Sequence, residues 1–474
     1  MTGRQGFLVW LAAAVCLVTT LPAFMAAPAA ALTFAPPMHY GLGGRPADLA
    51  SADLNGDGRP DIVASAGTRI AVLLGIERGR FAAATRIPLE HRPGAIALAD
   101  VDRDGTLDVV TANGDGTVSI LLGDGKGSFV AKGAFPSGAS PSDVVVADLT
   151  GDGAPDVATA DGDGLSILAG DGEGGLLSPL HLPVGEGCRH VVAGDLDLDG
   201  MLDLAFTRNA FEEYHGFGVL LGDGAGGFSP LATYGTRLEP FGLALGDLNM
   251  DGRPDLVSLD GLEGDAEIGA FLGDGKGIFI SACTTMFSRD LSASGLAVGD
   301  LNRDGRADVV STGRRPGYVT GSNGHWVTVP PGPPRIYIML SHAYDGVFLE
   351  PTSFLAGRLP GEVIVTDFNG DRRPDLATTD LETRSLSVRL NGHLPVVTGV
   401  SPARGRIGDV VTLTGRFFSR RGVVQFGGKT AIAYLSWDVS KIKVRVPRGT
   451  ARGSVKVTVA TLIGRSAPRS FFRL

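Results

Sequence analysis

One nine-residue acidic run is written seven times in this chain, and that repetition limits the possible folds more than any other feature. It reads "DLNGDGRPD" at 53–61, "DVDRDGTLD" at 100–108, "DLTGDGAPD" at 148–156 and "DLDLDGMLD" at 195–203. It continues as "DLNMDGRPD" at 247–255, "DLNRDGRAD" at 300–308 and "DFNGDRRPD" at 367–375. Successive starts lie 47, 48, 47, 52, 53 and 67 residues apart. A period of this size implies one supersecondary unit per repeat, with a core that forms only when units stack.

The flanks repeat with the run. A short strand precedes it ("AIALAD", "DVVVAD", "GLALGD", "GLAVGD"), and a second follows it ("DIVAS", "DVVTA", "DLAFT", "DLVSL"). A third strand ends in an Asp-Gly hairpin, as in "SILLGDGKGSF", "GVLLGDGAGGF" and "GAFLGDGKGIF", and a fourth leads into the next unit. Four short antiparallel strands per unit predict an all-β fold, a seven-bladed β-propeller spanning residues 32–393. Ala52, Ala99, Ala147, Gly194, Gly246, Gly299 and Thr366 stand just before the runs, where strands crowd a central axis. The seventh unit stops at "SLSVRLNG" without an outer strand. "FAPPMHYGLGGRPADLASAD" parallels "FSPLATYGTRLEPFGLALGD", so residues 32–42 are expected to supply that strand and close the ring.

Oxygen-bearing side chains at places 1, 3 and 5 with Gly at 6 suit a loop wrapped around a hard cation, and calcium takes six to eight oxygens. The ninth residue is Asp and strands follow, whereas an EF-hand carries Glu at twelve between helices. An alternative is an Asp/Asn/Gly turn capped by its own side chains. Packing several carboxylates into one loop without a cation would be self-repelling.

These units resemble the FG-GAP/VCBS repeats of integrin-α-like propellers and their calcium-binding β-hairpin loops. The resemblance implies side-chain ligands at 1, 3, 5 and 9 and a backbone carbonyl at 7. The first site would use Asp53, Asn55, Asp57, Asp61 and the Arg59 carbonyl. The second would use Asp100, Asp102, Asp104 and Asp108, the fourth Asp195, Asp197, Asp199 and Asp203. The fifth would use Asp247, Asn249, Asp251 and Asp255, the sixth Asp300, Asn302, Asp304 and Asp308. The third has Asp148, Asp152 and Asp156 with the weaker Thr150, and the seventh has Asp367, Asn369, Asp371 and Asp375. Arg372 replaces the seventh Gly, and a Cβ at a positive-φ position should weaken that site.

The ends of the chain are different. Arg4 precedes an apolar stretch from Phe7 to about Leu21, and Ala29-Ala30-Ala31 fits a small-residue cleavage site. Residues 1–31 therefore read as a cleaved secretory signal, which places the mature protein outside the cell, at its surface or in a periplasm, with no transmembrane span. Only Cys188 and Cys283 would survive cleavage; they fall in different repeats, so a disulfide is not favoured.

From residue 394 to 474 the alternating strands predict a small β-sandwich. "SPARGRIGDVVTLTGRFF", "VVQFGG", "IKVRVP" and "GSVKVTVAT" resemble an IPT/TIG immunoglobulin-like domain. It carries fifteen Lys and Arg against Asp409 and Asp438, a balance of +13. With the whole chain at −9 and Arg4 removed, about −23 is left on the propeller, which seven calcium ions would offset by roughly +14. A basic sandwich suits an anionic polymer or the acidic propeller itself. The export signal argues against nucleic acid.

Three consecutive second-to-third loops are enlarged: "RNAFEEYHGFG", "DGLEGDAEIG" and "GRRPGYVTGSNGHWVTVPPGPPR". They fall on the ring end opposite the acidic runs. Phe211, Tyr214, His215, Tyr318, His325 and Trp326, with Arg314 and Arg315, form a candidate contact for a glycan or an extracellular protein. Neither H-E-x-x-H nor G-x-S-x-G occurs, and the eight His are scattered, so the expectation is a calcium-stabilised binding or adhesion protein rather than an enzyme. A polysaccharide-active lyase or hydrolase on a propeller is the competing reading.

Overall fold

In a computed structural model, residues 32–474 are described, apart from 210–214, 263–264, 289–291, 315–317, 323–324, 330–331, 343–346, 350, 393–394, 419–421, 439 and 462–465. The expected signal at 1–31 lies outside the described residues. Among those described there is no helix, and so none long and apolar enough to cross a membrane.

Each acidic run joins the first two strands of a four-stranded antiparallel sheet, and there are seven such sheets before residue 393. In the first, Pro46–Ala52 pairs with Asp61–Ala66, then Arg69–Leu73, then Thr85–Pro88. The inner strands are Pro46–Ala52, Pro93–Ala99, Asp143–Ala147, Val191–Gly194, Pro240–Gly246, Ser292–Gly299 and Pro360–Thr366. Each touches the next, and the seventh touches the first, so the sheets form a closed ring. In the seventh sheet Met38–Gly41 lies against Ser385–Arg389, pairing Met38 with Val388 and Gly41 with Ser385. Two backbone hydrogen bonds extend this seam, Ala35 N–H to the Leu390 carbonyl at 2.8 Å and Gly392 N–H to the Thr33 carbonyl at 2.6 Å.

The core is divided among the interfaces between sheets. Leu54, Val63, Ile70 and Val72 of the first sheet pack on Ile96, Val109, Leu121 and Phe129 of the second. Leu49, Ile62, Ala64 and Leu73 pack on Ala377, Leu386 and Val388 of the seventh. The second strands are therefore covered on both faces, which is why "DIVASA", "DVVTAN" and "DLATTD" are buried throughout. Small residues before the runs are required by close approach. A Cβ on Gly194, Gly246 or Gly299 would meet Leu245 at 2.9 Å, Ala307 at 2.9 Å or Val365 at 2.7 Å in the next sheet.

The fifth sheet departs from the sequence reading. "DGLEGDAEIG" is no loop: Asp255–Leu262 and Asp265–Gly273 remain paired out to Leu262 and Asp265. Cross-strand pairs such as Leu259 with Ile268 keep the ladder going where a loop was expected. In the sixth insertion, Tyr318–Ser322 and His325–Val329 form a separate two-stranded hairpin.

The C-terminal region is a two-sheet sandwich. Val396–Ser401, Val410–Arg416, Lys441–Arg445 and Tyr434–Trp437 form one sheet, and Arg404–Gly405, Arg469–Arg473, Gly453–Ala460, Val423–Phe426 and Lys429–Thr430 the other. Val411, Leu413, Phe418, Phe426, Val457 and Phe471 fill the space between them.

Deleting residues 32–42 removes the fully buried Leu42 and the buried Ala35 and opens the strand Ser385–Arg389. At roughly 1.5–3 kcal/mol per large side chain, with Phe34 and Tyr40 also lost, the expected cost is about 5 kcal/mol. Urea denaturation checks the magnitude, and faster amide exchange of residues 385–389 checks the location.

Candidate metal loops and the axial carboxylates

The ninth aspartate of every run is fully buried. Its Oδ2 accepts the N–H of the residue at place 2, from Leu54, Val101, Leu149, Leu196, Leu248, Leu301 and Phe368, at 2.7–3.0 Å. Its Oδ1 accepts an N–H from the end of the third strand, from Gly75, Gly123, Gly170, Gly222, Gly273, Ser341 and Asn391, at 2.5–3.0 Å. One side chain thus ties the loop to a strand 14 to 33 residues further on. Burial pushes these carboxyls up, with nearby loop carboxylates adding to the effect and the two N–H bonds opposing it: Asp255 to about 6, Asp308 to about 7, Asp375 to about 8.

The exposed part of the loop is just as regular. The N–H at place 6 donates to the aspartate at place 1 in all seven, at 2.6–3.0 Å. The N–H at place 7 donates to the aspartate at place 5 in all seven. In five, the N–H at place 5 donates to place 3, where Asn55, Asp102, Asp197, Asn249 and Asn302 accept. Two residues per loop are left-handed. Place 6 is Gly except for Arg372, whose φ of 67° reproduces the glycine backbone at about 1–2 kcal/mol of strain. Place 4 is left-handed too, and Arg103, Leu198, Met250 and Arg303 occupy it without being glycine. The sequence reading missed this second strained position.

These turns are capped, and the caps do not use up the donor set. A carboxylate offers about four lone-pair sites, and each N–H bond takes one. In the second loop, carboxylate oxygens of Asp100, Asp102 and Asp104 all lie within 4.8 Å of one another, and in the fourth so do those of Asp195, Asp197 and Asp203. In the seventh, Oδ1 of Asn369 at place 3 is buried with no hydrogen-bond partner. The all-oxygen sets of the second and fourth loops, and the orphaned carbonyl of the seventh, each fit a hard cation. In the first and sixth loops the place 5 carboxylate meets Arg59 at 2.8 Å or Arg306 at 3.2 Å. Such a pair involving an exposed carboxylate is worth about 0–1 kcal/mol and would yield readily.

The Asp-Gly hairpins are different. Asp124, Asp171, Asp223 and Asp274 each accept two N–H bonds within their own turn. Gly226 and Gly277 in these hairpins donate to the carbonyls of Leu149 and Leu196 in the preceding sheet's run, both at 3.2 Å, so hairpins and acidic loops share one end of the ring.

At the other end, five places before the first, third, fourth and seventh runs, Asp48, Asp143, His190 and Glu362 converge on the axis. Asp48 accepts the Ile96 N–H of the next sheet at 2.7 Å, and Asp143 the Val191 N–H at 2.9 Å. His190 Nδ1 lies 3.1 Å from Asp143. Desolvation first, then mutual repulsion, raises Asp48 to about 7 and Glu362 well above the usual carboxylate range. These residues are half-buried by accessible area, as side chains facing a narrow lumen should be.

Of the candidate contact residues, Phe211, Tyr214 and Arg315 lie outside the described residues. Tyr318, His325 and Trp326 belong to the two-stranded hairpin by their backbone, and Arg314 ends the strand Asp308–Arg314. His215 begins a third strand, its Nδ1 2.6 Å from Asn209 Oδ1. Cys188 is buried, unpaired and pushed up to about 12 by burial.

Comparison with known proteins agrees with this architecture. The FG-GAP-like repeat family matches residues 53–111, 100–159, 151–206 and 247–311, and the IPT/TIG domain family matches 395–471. The solved structure of BBS1N in complex with ARL6DN, soaked with lead, superposes with a TM-score of 0.51 at 11% identity, covering 75% of this chain and 96% of that one. Cyclomaltodextrin glucanotransferases of Niallia circulans and of Bacillus sp. (strain 6.6.3) are each 42% identical over 69 residues. That stretch is 14% of this chain and 10% of each enzyme.

Two substitutions separate the roles of the loop carboxylates. Asp203→Ala strands two N–H groups and should cost roughly 2–5 kcal/mol even in chelator, whereas Asp199→Ala should cost no more than about 1 kcal/mol there. Chemical denaturation in EDTA reads both. At the axis, the folded state holds a proton on Asp48 that the unfolded state loses above about pH 4, so this group's contribution falls as pH rises towards 7. Glu362→Gln should therefore raise Tm by a few degrees at pH 8 and leave it unchanged near pH 4. The chain is an FG-GAP-like repeat β-propeller protein with a C-terminal IPT/TIG domain.

Proposed function

We propose that this chain is an exported, calcium-stabilised binding or adhesion protein that recognises a glycan or an extracellular protein. The observation that carries the calcium part is the hydrogen-bond frame common to all seven loops, in two of which carboxylate oxygens gather within 4.8 Å, at places 1, 3 and 5 in the second and at 1, 3 and 9 in the fourth. The ligands at each site are the side chains at 1, 3, 5 and 9 with the carbonyl at 7. Thr150 weakens the third site, and Arg372 the seventh. Calcium supplies the positive charge that cancels the repulsion within each loop. Because the ninth aspartate grips the third strand, order in the loop is passed to the sheet. The loops are structural, and recognition belongs to the opposite end of the ring, where the fourth, fifth and sixth sheets extend their hairpins. The basic IPT/TIG domain adds affinity for an anionic surface polymer.

A ligand that binds only the folded state stabilises it by about 2.7 kcal/mol per site at a hundredfold excess over Kd. Excess EDTA should therefore lower Tm by well over 10 °C, and elemental analysis should return five to seven calcium ions per chain. Asp199→Ala should remove one ion without changing the EDTA-treated Tm. Retention on glycan arrays or cell walls without turnover of a polysaccharide panel separates binding from lyase or hydrolase activity. An unchanged Tm in EDTA sinks the calcium reading.

A further inference from the structure

On the recognition end, the fourth sheet holds a cavity of about 260 Å³, partly open to solvent and lined by Arg208, His215, Gly216, Phe217, Thr233 and Tyr234 with Gly235. Its origin lies in the strand register. Arg208 on the second strand pairs with Gly216 on the third, and Gly216 with Gly235 on the outer strand. No side chain stands across from the guanidinium in that row. Nor could one be added at Gly216, where a Cβ would run into the Tyr234 carbonyl. Nε of Arg208 is buried without a hydrogen-bond partner, and no carboxylate among the described residues forms an ion pair with this side chain. A buried donor left unmade costs about 1–3 kcal/mol, more when charged.

We propose that this cavity binds the carboxylate of an acidic sugar, a uronic acid residue of a glycan, through Arg208; this deepens the binding function proposed above and rests on it. A guanidinium fork matches a carboxylate in two parallel bonds. Thr233, on the same face of the sheet as Arg208, Gly216 and Gly235, supplies the second element, a hydroxyl that lines the same space. His215 pairs with Asn209 and turns its side chain to the opposite face, its Nδ1 2.6 Å from the Asn209 amide oxygen. The volume lies just below the roughly 300 Å³ at which pockets for larger ligands begin, so the cavity takes one sugar ring and not an extended chain.

The test uses full-length mature protein loaded with calcium and titrated by ligand-observed NMR with methyl glucuronide, methyl galacturonide, methyl glucoside and sodium sulfate. A uronide should bind with Kd near 1 mM, at least tenfold tighter than the neutral glucoside. Arg208→Gln should weaken uronide binding at least tenfold, and Thr233→Val about threefold. Gly235→Leu keeps the guanidinium but fills the cavity, at a position where no atom crowds a new Cβ, and should also abolish binding. A calcium-dependent Tm equal to that of the parent protein certifies each variant as folded. Equal binding of glucoside and uronide, sulfate binding as tight as uronide, or full uronide binding by Gly235→Leu each overturns the proposal. If glycan-array retention survives Arg208→Gln, this site fails while the general binding function stands; if nothing is retained at all, that function itself has failed.

Discussion

A buried carboxylate that accepts one N–H from its own loop and another from a distant strand is the interaction on which the rest of the propeller depends. It occurs in every repeat, through Asp61, Asp108, Asp156, Asp203, Asp255, Asp308 and Asp375. Without it, the turn between the first two strands would have an unpaired amide at place 2, and the third strand would end in another. Both lie in a dry interface where such losses are costly. The same residue links local geometry to global assembly, because the loop it fixes also receives the hairpin of the following sheet through Leu149 and Leu196.

The loop's other acids make sense only beside that buried one. Asp53 and Asp57, or Asp195 and Asp199, each receive backbone N–H bonds that fix the position of their oxygens within the loop. Strain at places 4 and 6 is tolerated for the same reason: Arg103, Leu198, Met250 and Arg303 hold positive φ because the surrounding hydrogen bonds leave no alternative. A frame this over-determined is pre-organised for a cation, and the neutralisation it offers matters in a region about 23 charges negative by composition. Asp48 and Glu362 at the axis show what acids without a cation do instead, since burial and repulsion drive their protons back on.

Much of this was legible in the residues. The period of the runs, the apolar second strands and the Asp-Gly hairpins each reflect short-range rules, and they locate sheets, turns and the acidic loops. The double role of the ninth aspartate was not legible, because its second partner sits up to 33 residues away and is defined only by strand register. The fifth insertion was misread for a related reason: Gly261 and Gly264 look like loop punctuation, yet Gly261 pairs with Ala266 inside a continuing ladder. Arg208 escaped notice because nothing in "DLAFTRN" reveals that two glycines from other strands will face it. The axial cluster was equally hidden, since Asp48, Asp143 and Glu362 meet only after the ring closes.

The seam between Met38–Gly41 and Ser385–Arg389 joins segments almost 350 residues apart. Contacts of such separation form late, because the entropy of closing the intervening loop must be met before they contribute. During synthesis the leading strand has no partner until the seventh repeat has emerged, so a growing chain exposes two unsatisfied sheet edges for most of that time. Completion of this ring is thus an all-at-the-end event, and cells that make it must keep the early sheets from pairing with each other's edges until the last strand arrives.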